Sequence, residues 1–195
     1  MNSGSVLPAD PVNSTRAQAI FDQVTAISGC SDASDKLACL RAAPYNKFLE
    51  AQNSLPSVAG YGGLNLTFLA RPDHKYDFFP LSPELAAREG QFVKVPIITG
   101  NQEDEGTLFC VYQSNVTSQD QVASYYQSWW PGASESAVQD YVSTYEEPSQ
   151  GSPFNTGSAN QLYPTYKQIA GVLGDYSFVF QRRSFLSYVS SEMPA

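Results

Sequence analysis

The sequence predicts an α/β fold, from two observations and a size that accommodates them. Val93 to Thr99 is a short, β-branched, largely apolar run closed by Gly100, the pattern of a strand buried on both faces of a parallel sheet. Before and after it, apolar residues recur three and four apart, the spacing of helices that each bury one face. With 195 residues, 42% hydrophobic and only 15% charged, the chain is long enough for one domain and too apolar to stay unfolded.

Pro8, Asp10 and Pro11 make a turn-rich lead-in, after which Ala19, Ile20, Val24 and Ile27 share a helical face and Gly29 stops the helix. A second short helix opens near Ser34 and runs through Leu37 and Leu40, and Pro44 starts a third that carries Phe48 and Leu49. From Leu55 to Phe79 the glycines, prolines and aromatics predict loop, with at most a short strand at Leu64 to Leu69. Ser82-Pro83-Glu84 is a helix start with proline in the first turn, and Gly90 ends that helix. Beyond the Val93–Thr99 run the pattern is helical again. Ser118-Gln119-Asp120-Gln121 has the form of a capping box ahead of Val122, Tyr125, Tyr126 and Trp129. Ser134 starts a helix through Val138, Tyr141 and Val142, and a Pro/Ser/Gly loop spans Glu146 to Gly157. Tyr163 to Ser190 predicts one long helix or two, with the break at Gly171 and Gly174. No repeat and no linker divides the chain.

Net charge is −8, with no run of Lys or Arg to neutralise phosphates, so nucleic acid is not an expected partner. The longest apolar stretches fall far short of the roughly 20 residues that span a bilayer, which predicts no transmembrane segment. The residues after Met1, Asn2-Ser3-Gly4-Ser5, lack the basic and apolar regions of a signal peptide. Two features nonetheless point to an oxidising compartment. Cys30 and Cys39 lie close enough to close a small loop, and N-x-Ser/Thr glycosylation sequons stand at Asn13, Asn65 and Asn115. The expectation that reconciles these is an internal piece of a longer secreted protein, with Met1 not a true start. Cys110, between Phe109 and Val111, reads as a buried thiol.

A hydrolytic triad needs a nucleophile, a base and an acid that orients the base. No G-x-S-x-G occurs; Gly132-Ala133-Ser134-Glu135-Ser136 fails at its last position. The single histidine, His74, is flanked by Asp73 and Lys75 and reads as a solvated surface residue. One His and three Cys at these spacings assemble no zinc site, and no cofactor is implied. The distinctive run is Gly100-Asn101-Gln102-Glu103-Asp104-Glu105-Gly106-Thr107, a carboxylate cluster just past the end of the predicted strand. In open α/β sheets that edge collects ligands and catalytic side chains. From the residues alone the run is open to three readings: a catalytic acid, a solvated acidic loop, or a hard-cation site of Glu103, Asp104 and Glu105.

Across nearly its whole length the sequence resembles the type-B carboxylesterase/lipase family, which includes the cholinesterases, and within it the secreted fungal lipases. Met1-Asn2-Ser3-Gly4 is similar to the family's Q-S-G segment, with Asn2 in place of Gln. Cys30 to Leu40 is similar to its second disulfide loop. Arg71-Pro72-Asp73, Phe79-Pro80, Pro83 and Gly90 follow its spacing toward Val95-Pro96-Ile97-Ile98-Thr99-Gly100, and Glu105 before Gly106-Thr107 matches its acid motif. Gln150 to Phe154 and Gly174-Asp175 through Arg182-Arg183 complete the likeness.

The resemblance implies a partial α/β-hydrolase fold: a few strands of the central parallel sheet with many helices, lacking the N-terminal and C-terminal parts. Residues 1–195 would be an internal segment of one such domain. It implies a secreted carboxylic ester hydrolase acting on an ester or lipid substrate, with contact to a lipid interface. Glu105 would be the triad acid, Ser3 its hydrogen-bonding partner, Leu108 and Phe109 acyl-pocket residues, and Cys30–Cys39 a disulfide. The nucleophile elbow and catalytic histidine would lie outside the chain, leaving it inert by itself; His74 precedes Glu105 and so breaks the order Ser, acid, His. The other reading keeps the fold without catalysis, as in interaction or adhesion proteins of the same superfamily. On the catalytic reading Ser3 Oγ and a Glu105 carboxylate oxygen should lie within hydrogen-bond distance, with Glu103 and Asp104 turned to water.

Overall fold

The computed structural model describes residues 1–146 and 150–193. Helices dominate it. The helices are α1 (Thr15–Ile27), α2 (Lys36–Ala42), α3 (Tyr45–Asn53), α4 (Pro83–Arg88), α5 (Gln119–Gln127), α6 (Glu135–Ser143), α7 (Tyr166–Gly174) and α8 (Phe180–Val189). Their starts follow local chemistry. Ser14 accepts from Ala17 N at 3.1 Å at the head of α1, and Asp35 accepts from Ala38 N at 2.9 Å at the head of α2. Ser118 and Gln121 form the reciprocal capping box of α5, and Ser134 accepts from Ala137 N at the head of α6. Residues 147–149 of the predicted 146–157 loop lie outside the described residues.

The predicted strand at Val93–Thr99 does not form, nor does the short one at Leu64–Leu69; among the described residues there is no strand at all. The reason is lateral. A strand exists only through hydrogen bonds to a neighbour, and the pairing that the 93–100 segment finds is a single parallel bridge between Asn2 and Gly100. Gly100 N donates to Met1 O at 3.1 Å and Ser3 N donates to Gly100 O at 2.8 Å. The apolar side chains that suggested two-sided burial are instead open: Val93 is 78% and Ile98 91% exposed.

The core lies around α7, which is buried on every side, as a helix apolar on nearly all faces requires. Ile169, Val172, Tyr126, Val122, Val138 and Val142 join it to α5 and α6. A second cluster joins α4 to α8 through Ala87, Phe185, Val189 and Met193, with Val6, Phe92 and Ile97 against it. Gly171 does not break the helix as expected; a Cβ there would come within 2.7 Å of the Tyr145 ring, so the glycine serves close packing. Gly174 marks a change of hand-over rather than an end, because Asp175–Val179 is a π-helical turn running straight into α8. Tyr145 donates its hydroxyl to Asp175 Oδ2 at 2.5 Å at that turn.

Between Gly106 and α7 the approach is backbone on backbone. A Cβ on Gly106 would lie 1.9 Å from Ala170 O and 2.8 Å from Gly174 N. Thr107–Cys110, an unpredicted 3₁₀ turn, continues from this contact, with Tyr166 donating to Thr107 O at 3.1 Å and Tyr163 to Cys110 O at 2.5 Å. Cys110 itself is buried, which pushes its thiol up to about 12. Cys30 and Cys39 are joined in a disulfide between α1 and α2.

Two outcomes follow from this packing. Gly106→Ala is expected to lower the stability of the intact protein by about 3 kcal/mol in urea unfolding, because neither backbone can retreat. Gly132→Ala, where a Cβ meets nothing within 4 Å, is expected to stay within about 0.5 kcal/mol of the parent. Thiol counting supplies the second: at pH 8 the native chain is expected to leave Cys110 unlabelled, to expose one thiol on denaturation and three after reduction. Labelling of native Cys110, or three thiols without reductant, would contradict it.

Candidate active site

The Asn2–Gly100 bridge brings the first residues of the chain against the acidic run. Ser3 holds a left-handed backbone, φ 57°, a conformation that costs a non-glycine residue about 1–2 kcal/mol. The result is direction: Ser3 Oγ donates to Glu105 Oε1 at 2.5 Å across 102 positions of sequence. Gln102 N donates to the same oxygen at 2.6 Å. Both donors fall on Oε1, and among the described residues Oε2 takes none. The carboxylate is therefore fixed by one oxygen and leaves the other available as an acceptor.

The neighbouring acids have other partners. Glu103 is exposed and accepts from Asn155 Nδ2 at 3.2 Å. Asp104 does not turn to water as expected. It is half-buried, and its Oδ1 accepts from Ser152 Oγ at 2.7 Å and Phe154 N at 2.9 Å. The physical reason is that the loop around Pro153 folds back over the run and presents unpaired donors to the nearest acceptor. The three carboxylates thus point to three different partners and do not converge, and among the described residues no group of His, Cys, Asp and Glu is arranged to hold a metal ion. The hard-cation reading is set aside on that geometry. Upstream in the same loop, Arg182 Nε donates to Asn101 Oδ1 at 2.5 Å, tying the loop to α8.

Leu108 and Phe109 lie on the 3₁₀ turn just past Glu105. Leu108 is 71% exposed, while Phe109 is half-buried and stacks on Phe178 with ring centroids 6.1 Å apart. His74 is exposed in its loop and makes no hydrogen bond to the acid run. Asn13 and Asn115 are exposed; Asn65 is half-buried, and Thr67 of its sequon is buried and donates to Pro56 O at 2.7 Å. Lys167 was not singled out in the sequence; Asp104 entered only as one of three acids in the run, and Ser152 and Arg182 only within segments of the family likeness. One signal for Lys167 existed: a lone lysine inside the apolar helix Tyr166–Gly174 must find acceptors or leave the core. Chemically, an oriented carboxylate with one free oxygen can hold a base in position, the part played by the acid of a hydrolytic triad.

Comparison with known proteins places the chain in a family. The chain is 44% identical, over its whole length, to a secreted triacylglycerol lipase of Gibberella zeae, and 41% identical, over 96% of its length, to lipase 4 of Diutina rugosa. It spans about a third of the length of these curated relatives, 33% and 34%. Its fold is similar to the crystal structure of Aspergillus niger EstA, with a TM-score of 0.64 and 19% identity over 97% of this chain and 35% of that one. The model of the carboxylesterase family matches residues 1–194, and the chain belongs to that family.

Proposed function

We propose that the protein carrying this chain is a secreted hydrolase of carboxylic esters, of the carboxylesterase or triacylglycerol lipase type, working through a Ser-His-Glu triad. Residues 1–195 form an internal segment of its one α/β-hydrolase domain and contribute only the acid. The observation that carries this reading is the Glu105 carboxylate, held on Oε1 by Ser3 at 2.5 Å with Oε2 free. Glu105 Oε2 accepts the Nδ1–H of a histidine from elsewhere in the protein. That contact fixes the tautomer in which Nε2 takes the proton of the nucleophilic serine, and it stabilises the imidazolium that results. The serine attacks the ester carbonyl, the alcohol leaves with the proton, and water returns the acid and the free enzyme through the same base.

Several features support the reading. The relatives are named as lipases, two of them as secreted, which favours a lipid ester and an extracellular location. A disulfide and exposed sequon asparagines at Asn13 and Asn115 suit that compartment. Leu108, exposed at the site, and Phe109 beside it offer apolar surface for an acyl chain. The open side chains of Val93, Val95 and Ile98, on a segment whose one bridge among the described residues is Asn2–Gly100, suit a strand that further parts of a central sheet pair with and cover.

Glu105→Gln in the full-length protein is expected to lower kcat on a soluble ester by roughly 10³- to 10⁴-fold, since the amide orients the wrong histidine tautomer. The isolated chain is expected to show no turnover above buffer. Wild-type turnover by the Glu105→Gln protein would remove the catalytic assignment of Glu105, and absence of turnover in the unsubstituted full-length protein would favour a non-catalytic interaction protein.

A further inference from the structure

The acid run is held by more than Ser3. Residues 151–157 form a strap between the run and α7, and opposite polarities clamp its two sides. On one side Lys167, 1% exposed, gives its ammonium to Pro153 O at 3.2 Å, Gly157 O at 2.6 Å and Thr156 Oγ1. Ser152 N donates to Lys167 O at 3.0 Å, and Gly151 lies so close that a Cβ would come within 2.6 Å of the Lys167 carbonyl. On the other side the strap's donors, Ser152 Oγ and Phe154 N, converge on Asp104 Oδ1. Asp104 also closes the turn into the 3₁₀ helix, its carbonyl accepting from Thr107 Oγ1 at 2.9 Å.

We propose that Asp104 is a positioning residue for Glu105: by gripping the strap that Lys167 fixes to α7, it sets the direction of the adjacent carboxylate. The proposal rests on Glu105 being the triad acid. Asp104 and Glu105 are consecutive, so their side chains share one backbone segment whose rotation moves both. With Asp104 anchored to the strap and Gly106 pressed on Ala170, that segment has no freedom to turn Glu105 away from Ser3. Releasing Asp104 leaves the fold's core untouched and frees the carboxylate by a fraction of an ångström, a displacement to which oriented catalytic groups are sensitive.

The test uses the full-length protein, with active sites counted by stoichiometric phosphorylation of the nucleophilic serine by an organophosphate, so that misfolded molecules drop out. Asp104→Ala is expected to lower kcat per titrated site by about 10- to 100-fold with KM within about twofold of wild type. Asp104→Asn, whose carbonyl oxygen can accept from the same Ser152 hydroxyl and Phe154 N–H, is expected to recover most of the loss. Ser152→Ala, which removes one of the two donors and stays informative if Asp104→Ala does not fold, is expected to lower kcat by about two- to fivefold. Wild-type kcat per site in both Asp104→Ala and Ser152→Ala would overturn the proposal, as would an Asp104→Asn protein no better than Asp104→Ala. Glu105→Gln in the same assay separates the two claims. If it is disabled while Asp104→Ala is normal, only the positioning role fails; if it too is fully active, the reading of Glu105 has failed.

Discussion

Gly106 resting on the backbone of α7 is the contact from which the rest of the molecule takes its position. No side chain can intervene there, since the space between Gly106 and Ala170 O is smaller than a methyl group. The closeness has consequences in both directions along the chain. Downstream it starts the 3₁₀ turn that buries Cys110 under Tyr163 and Tyr166. Upstream it fixes the run that carries Glu105, so that Ser3 and Gln102 N meet one carboxylate oxygen. A helix buried on every side is what makes such a contact rigid, because α7 is itself held by α5 and α6 and cannot yield.

Three adjacent acids, identical in type or nearly so, have three different fates, and partners rather than residue chemistry decide them. Glu103 meets only the amide of Asn155 at the surface. Asp104 is enlisted by the strap's hydroxyl and backbone N–H. Glu105 alone faces Ser3, whose left-handed backbone is tolerated at a cost that the bridge at Asn2–Gly100 must cover. The same division separates structural from chemical roles: a carboxylate whose Oδ1 takes two donors from a strap secures a loop, while one left with a free oxygen can orient a base.

Local signals were legible in the sequence because they act within a few residues. The caps at Ser118 and Ser134 and the stop at Gly29 are each satisfied by atoms within a turn, and the helix starts read at Pro44 and Pro83 fall where α3 and α4 begin. The contact between Ser3 and Glu105 was legible too, through the resemblance of the motifs around them. What the sequence hid is non-local. The apolar run at Val93–Thr99 has the composition of a buried strand, yet whether it is one depends on lateral neighbours, and among the described residues it finds one, at Asn2. Asp104 looked like any solvated acid because Ser152 and Phe154 lie about fifty positions away. Gly171 looked like a helix breaker because nothing in its own segment announces the Tyr145 ring that needs its space.

The most direct measurement is a crystal structure of the full-length protein at a resolution that defines the carboxylate. Glu105 Oε2 should lie about 2.6–3.0 Å from Nδ1 of a histidine that also reaches the nucleophilic serine, with Oε1 still on Ser3. A Glu105 carboxylate directed at bulk water, or a catalytic histidine paired with a different acid, would contradict the proposed assignment of Glu105 as the triad acid.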